Sequence, residues 1–396
     1  MSNRLLAHRF NAGKYLGIDL FVHWTFLLLA AYVFFSSLGE GVLVASFMLA
    51  QLLGVFFCVT LHEYGHAMAA RYFGIGTADI TLLPIGGVAR LHRMPRIPWQ
   101  EMVVAFAGPA VNVVLVFGFA LLFVTQVSDE MLIGLRDLAT NPQEGLEISQ
   151  DVATAIDTMF RFPSFAGYLF TMIVVNVMLV IFNLIPAFPM DGGRVLRSLL
   201  AMFTTYTQAT RFAFLVGVFC AALMILVAAQ GGSSNPIPVF IGLFVAFAGY
   251  SEYKQVEVNE AVRGRTVGEA MIPTTVVVEQ ELDLRDLALK WTTLTTRSLP
   301  VVNAIGKPIG LVRLSDLRNH QFTKEAGHSS VSTLLDVNTP FKTVLLDEPL
   351  DQALLKIDRR VRQHLVVDEC GIFLGVLDLD TMIDRLRLSE IVAEQG

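Results

Sequence analysis

LGVFFCVTLHEYGHAMAARYFG, from Leu53 to Gly74, is the stretch on which the reading of this chain turns. It sets His62, Glu63 and His66 in a segment otherwise apolar enough to lie in a lipid bilayer. On a helix, residues four apart share a face, so both imidazoles can hold one metal ion while Glu63 lies beside it. Ionisable groups are costly in hydrocarbon, and a cluster of them within a span marks a functional site. The pattern reads as the hydrolytic core of a protease working within the membrane. Its alternatives are a polar trio satisfied by other helices and a proton relay.

The rest of the chain supports a membrane setting. Of its 396 residues, 54% are hydrophobic and only 16% charged, and the mean hydropathy is +0.58. That is too apolar for a wholly soluble chain, and the excess is uneven. Residues 17 to 251 carry long apolar runs, whereas residues 252 to 396 have the composition of a soluble domain. The expected organisation is a membrane domain over 1–251, a linker over 252–265 and a soluble α/β domain over 266–396. The net charge of −6 comes with no basic block, so nucleic acid is not an expected partner. Cys58, Cys220 and Cys370 are scattered, which leaves no disulfide framework and no cysteine zinc site. No small-residue cleavage site follows the basic N-terminal stretch, which therefore reads as an uncleaved anchor.

A spanning helix needs about 20 apolar residues. Six segments come near that length: Leu16–Ser36, Gly41–Thr60 running on into the motif, Met102–Val127, Phe165–Pro186, Phe212–Ala229 and the shorter Val239–Tyr250. About six spans place both ends of the chain on one side. Positive charge picks the side. Arg4, Arg9 and Lys14, then Arg71, Arg90, Arg93 and Arg96, then Arg194, Arg197 and Arg211, and finally Lys254, Arg263 and Arg265 all fall on it. The alternate connections, including the acidic loop Ser128–Pro163, hold only Arg136 and Arg161. The expectation is a multi-pass protein of an inner or cell membrane with both termini cytoplasmic. Seven residues separate Tyr64 from Arg71, which puts the motif about 10 Å below the cytoplasmic surface. Gly74 is placed to end the motif helix as its left-handed cap.

Two histidines do not complete a catalytic zinc site, which usually takes three protein ligands and a water. The candidate third is Asp191 in FNLIPAFPMDGGRVLRSLL, where Pro186 and Pro189 break the fourth span. Such a non-helical turn can enter the membrane layer only where protein buries it. The other reading is an exposed Asp-Gly turn. TADITLLPIGGVARLHRM, with Pro84 and the Gly86–Gly87 pair, reads as short strands around a tight turn, or else a plain loop. Asn176 reads as an interhelical hydrogen-bonding residue. For Asn112 and Asn183 that role stands level with holding the substrate backbone or stabilising an oxyanion. His23 reads as a packing or hydrogen-bonding residue.

The soluble end repeats itself: TVGEAM…SLPVVNAIGKPIGLVRLSDL matches SVSTLL…QHLVVDECGIFLGVLDLDTM about 65 residues on. Each unit reads as helix, strand, helix, strand, turn, strand, helix, with its hairpin at Asn303–Lys307 or Asp368–Gly371.

HEYGHAMAARYFG, LLPIGGVARL, AGPAVN and NLIPAFPMDGGR together resemble the site-2 protease family of intramembrane zinc metalloproteases. The resemblance implies one Zn2+ per chain on His62, His66 and Asp191, with Glu63 as general base. It implies substrates that are transmembrane segments of single-pass proteins, such as anti-sigma or pro-sigma factors. It also implies that LLPIGGVARL receives the substrate as an added strand, which brings Gly86 and Gly87 into the substrate-binding set. The repeat resembles a tandem pair of cystathionine-β-synthase-type (CBS) domains, which implies dimerisation or regulation and a site for adenine nucleotide. The usual nucleotide pattern is Gly, two apolar residues, Ser or Thr, then Asp three positions on. GLVRLSD keeps Asp316 but has Arg313 at the hydroxyl position; GVLDLDT has Asp378 and Thr381 exchanged. At most one nucleotide site, at Asp316, is expected. Because CBS pairs also hang from ion channels and transporters, a CBS-regulated conduction path is the competing class. An inactive, protease-like binding protein is the third.

Overall fold

The structure is a computed structural model. It describes residues 9–129, 163–230, 236–319 and 329–388, less 85, 275, 295, 297, 336–340, 358–360 and 387, with a few positions between 132 and 158. Most of the acidic Ser128–Pro163 loop lies outside the described residues. The chain divides into two compact units, Met1–Tyr253 and Lys254–Gly396.

The first unit opens with a β-hairpin, β1 (Arg9–Tyr15) and β2 (Ile18–His23), before helix α1 (Trp24–Ser37). The expected first span, Leu16–Ser36, is therefore part strand and part helix. Leu16–Gly17 makes the turn, with both residues at positive φ. His23, buried, caps α1 by accepting from the Thr25 N–H. Helix α2 (Val42–Tyr72) is one unbroken run of 31 residues that carries the motif in its last third. It ends as expected. Gly74, at φ +72°, lets its own N–H and that of Ile75 turn back to the carbonyls of Arg71 and Ala70.

The TADITLLPIGGVARL stretch forms β3 (Thr77–Leu83) and β4 (Gly86–Leu91), an antiparallel hairpin and not a plain loop. The sheet order is β1-β2-β3-β4, with β2 and β3 parallel. Ile18 and Ile80 pack with Ala67 of the motif helix, while Tyr64 and Arg71 hold the carbonyls of Tyr15 and Leu16. The sheet is thus seated on the same helix that carries the two histidines.

Helix α3 (Pro98–Val124) packs along α2, and α4 (Phe165–Leu184) along α3. Then follow α5 (Asp191–Leu200), α6 (Tyr206–Gln230) and α7 (Ile237–Val262). Four of these, α2, α3, α4 and α6, are long and apolar enough to cross a membrane; α1 is a shorter apolar helix. Large apolar side chains such as Phe57, Phe117, Leu121 and Phe219 lie on the outside, while Glu101, Asn112, Asn176 and Thr210 are buried. That inversion suits a protein whose surroundings are as apolar as its core.

In the second unit α8 (Val267–Ala270), β5 (Ile272–Pro273), β6 (Val278–Glu279), α9 (Leu284–Thr292), β7 (Ser298–Val302), β8 (Pro308–Arg313) and α10 (Leu314–Asn319) form the first repeat. The second contains β9 (Thr343–Leu345), α11 (Leu350–Lys356), β10 (Gln363–Val367) and β11 (Phe373–Asp378). The two sheets run β6-β7-β8 and β5-β11-β10-β9, so the first repeat lends β5 to the second. Both hairpin turns close on a glycine at positive φ, Gly306 and Gly371.

Candidate metal centre

His62 and His66 stand one turn apart on α2, both buried, with ring centroids 4.7 Å apart. Asp191 meets them. Its Oδ2 lies 3.2 Å from Nε2 of His62 and 3.1 Å from Nε2 of His66, and the two nitrogens are 3.1 Å apart. The sequence placed Asp191 on a non-helical turn; it is instead the first residue of α5, after the irregular 185–190 stretch. Gly192 and Gly193 explain how that junction closes. A Cβ on either would fall within 2.7 Å of the backbone of residues 184 to 188.

Hydrogen bonds behind the imidazoles set their tautomers. Asn176 Nδ2 donates to the carbonyl of Met172, which can only accept, so Asn176 Oδ1 faces Asn112 Nδ2. Asn112 then turns its own Oδ1 to Nδ1 of His62, which must carry the proton. His66 Nδ1 likewise donates to the carbonyl of Val104. Both Nε2 lone pairs are left facing the Asp191 carboxylate, whose Oδ2 has no hydrogen-bond donor. Three converging lone-pair donors repel one another unless a cation sits among them. Tetrahedral ligands about 2.0–2.1 Å from a zinc ion stand about 3.3 Å from each other, close to the spacing found here. The donor set therefore fits a zinc-type ion.

Asn112 is wholly buried, with its Oδ1 toward His62 Nδ1 and its Nδ2 donating to Asn176, an arrangement that orients His62. Asn176 is the interhelical residue expected, with the added task of setting the polarity of the chain. Asn183, half-buried, ends α4 one turn ahead of the break, outside the ligand triangle. Gly108, within AGPAVN but not singled out by its sequence, is the residue that makes room. A Cβ there would sit 2.3 Å from His66 Nε2 and 2.7 Å from His62 Nε2.

Glu63 is held from the sheet. β4 is an edge strand, and its Ala89 N–H donates to Glu63 Oε2 at 3.0 Å. Gly87 lies so close that a Cβ would come within 2.7 Å of Glu63 Cγ. Gly86, at φ +137°, supplies the turn and has open space around it. The β3–β4 pairing is locked by buried Asp79, which bridges Arg9 and Arg90. Burial raises the Asp79 pKa, but the two guanidiniums outweigh it and hold the carboxyl below its ordinary value.

In the second unit Asp316 bonds within its own helix end. Its Oδ2 accepts from the Arg313 N–H and its Oδ1 from Ser315, so it caps α10. The cleft between the repeats, of about 770 Å³, is lined by Thr274, Ser298, Arg313, Arg362 and Asp378 but not by Asp316.

The model of peptidase family M50 matches residues 50–227, the segment that contains His62, Glu63, His66 and Asp191. The chain belongs to this family. CBS-domain models match 267–322 and 331–388. A zinc metalloprotease of Methanocaldococcus jannaschii is 28% identical over 96% of the M50 chain and 97% of its own length. A Synechocystis protein named as a zinc metalloprotease is 25% identical over 98% of each. A solved site-2 protease from Methanocaldococcus jannaschii is 30% identical, covering 62% of this chain and 95% of its own, with a TM-score of 0.39.

Proposed function

We propose that this M50 member is a zinc endopeptidase that cuts transmembrane segments of other proteins. The observation that carries the reading is the triangle of His62 Nε2, His66 Nε2 and Asp191 Oδ2, with Glu63 on the adjoining helical position. Three donors closing on one point serve a resident ion better than a conducted one. When bound, zinc polarises a carbonyl and lowers the pKa of a water. His62, His66 and Asp191 hold it; Glu63 takes a proton from the attacking water and returns it to the leaving amine. Ala89 keeps the Glu63 carboxylate oriented meanwhile. The edge of β4 away from β3, which no strand covers among the described residues, offers its remaining backbone hydrogen bonds to a substrate unwound from its helix. Gly86 and Gly87 lie on that edge, and Asn183 keeps its proposed role at the substrate backbone or oxyanion.

Single-pass membrane regulators, such as anti-sigma or pro-sigma factors, are the substrate class. The charge bias of the connections orients the chain in an inner or cell membrane with both termini cytoplasmic, which opens the site toward that side. Purified full-length protein is expected to hold one zinc per chain by elemental analysis, and Asp191→Ala to lose it. Wild-type protein that binds no zinc, or a variant that keeps it, would overturn the assignment.

The CBS pair serves dimerisation or regulation. With Arg313 and Asp378 in the cleft and Asp316 turned to its own helix, it holds at most one adenine nucleotide. Titration calorimetry of the full chain with ATP, AMP and S-adenosylmethionine is expected to fit no more than one site. Two sites per chain would contradict that reading, and no heat from any of the three leaves assembly as its role.

A further inference from the structure

A second polar cluster lies behind the metal ligands. Arg197 of α5 and Glu101 of α3 are both essentially inaccessible to solvent. Arg197 Nε donates to Glu101 Oε1 at 2.8 Å, with Nη2 on the same oxygen. Arg197 Nη1 reaches Glu252 Oε1 of α7 at 3.2 Å. The guanidinium also lies 5.0 Å from the ring centroid of Phe188 and 4.9 Å from that of Tyr206. Burying an arginine between carboxylates seldom adds net stability over an apolar filling, yet losing one partner of such a cluster is costly. A cluster of this kind is better suited to fixing one geometry than to holding the fold.

What it fixes is the segment that carries Asp191. Arg197 lies in the second turn of the helix that Asp191 begins. Gly193 packs so tightly on Ala187 and Phe188 that helix and preceding stretch move together. Helix α7 runs along this same segment. Val245 packs with Ala187, Gly249 approaches the Cβ and carbonyl of Phe188, and Glu252 follows at i+3 to grip Arg197. Three turns of α7 thus bear on the segment that carries the third ligand.

We propose that Glu252, acting through Arg197, is a positioning residue that sets where the Asp191 carboxylate stands in the ligand triangle. This rests on the zinc reading of the site.

The test uses full-length protein in nanodiscs, with zinc affinity measured by chelator competition and the ligand field read from the Co2+-substituted spectrum. Glu252→Gln is expected to weaken zinc about tenfold, as loss of an outer partner of a metal site does, and to shift the cobalt bands. Glu252→Asp should recover part of the loss. Glu257→Gln, on the same helix but paired with Lys254, should change nothing. Should Glu252→Gln not fold, Gly249→Leu, whose side chain presses on Phe214 and Phe188 with every charge intact, is expected to give the same loss of affinity. Wild-type zinc affinity and cobalt spectrum in the folded variant would overturn the proposal. Wild-type protein without zinc would instead sink the metal assignment on which it rests.

Discussion

Glu63→Gln is expected to lower cleavage of a membrane-embedded reporter by about 10²- to 10⁴-fold, the usual contribution of a general base, with zinc content unchanged. The separation is predicted by the geometry. The three donor atoms belong to His62, His66 and Asp191, so the substitution leaves every ligand and its hydrogen bond intact. Glutamine has the shape of glutamate and can still accept from the Ala89 N–H, so β4 should stay seated. What is lost is the proton acceptor alone. Reporter cleavage by Glu63→Gln at the wild-type rate, with zinc present, would remove Glu63 from the mechanism. The variant also offers a trap, because a substrate that binds and is not cut can be purified with it and identified.

Gly108→Ala is expected to abolish both zinc binding and cleavage, although it adds a single methyl group. That methyl would stand 2.3 Å from His66 Nε2 and 2.7 Å from His62 Nε2, closer than a Cβ can approach. The rings cannot simply swing aside. Each is tied at Nδ1, one to Asn112 and the other to the carbonyl of Val104. Either α3 withdraws from α2 or the imidazoles leave the triangle, and both break the donor set. Gly118→Ala on the same helix, with open space around the added carbon, is the control and should be silent. Zinc content at the wild-type level in Gly108→Ala would show that the centre can re-form around the methyl.

The two histidines and Glu63 were legible as one cluster because helical periodicity is local: residues 62, 63 and 66 are placed by α2 alone. The same holds for Gly74, whose cap needs only its own helix end, and for the two repeats, whose alternation and turn residues recur in register. Asp191 was legible for another reason, since two prolines mark where an apolar span must stop. The β1–β2 hairpin was not. Its apolar run suits a helix as well as a strand, and the choice depends on pairing with β3, some 60 residues away. Asn112 stayed open because an amide in a membrane helix can face substrate or protein, and its hydrogen bonds to His62 and Asn176 join helices far apart in the chain.

The division follows the range of the forces involved. The sequence by itself determined the two-part organisation and the HEYGH face with its donor residues, because hydropathy and helical spacing act between near neighbours. The tertiary structure alone decided what makes those residues a site. It turns both imidazole tautomers inward, clears space at Gly108 and binds Glu63 to the edge of a sheet. It also ties the helix that Asp191 begins to two other helices, through buried Arg197 on Glu101 and on the partly exposed Glu252. Each of these is a contact between helices or strands far apart in the chain. Such contacts are selected by packing and by the cost of an unpaired buried polar group, and neither is written in a local pattern.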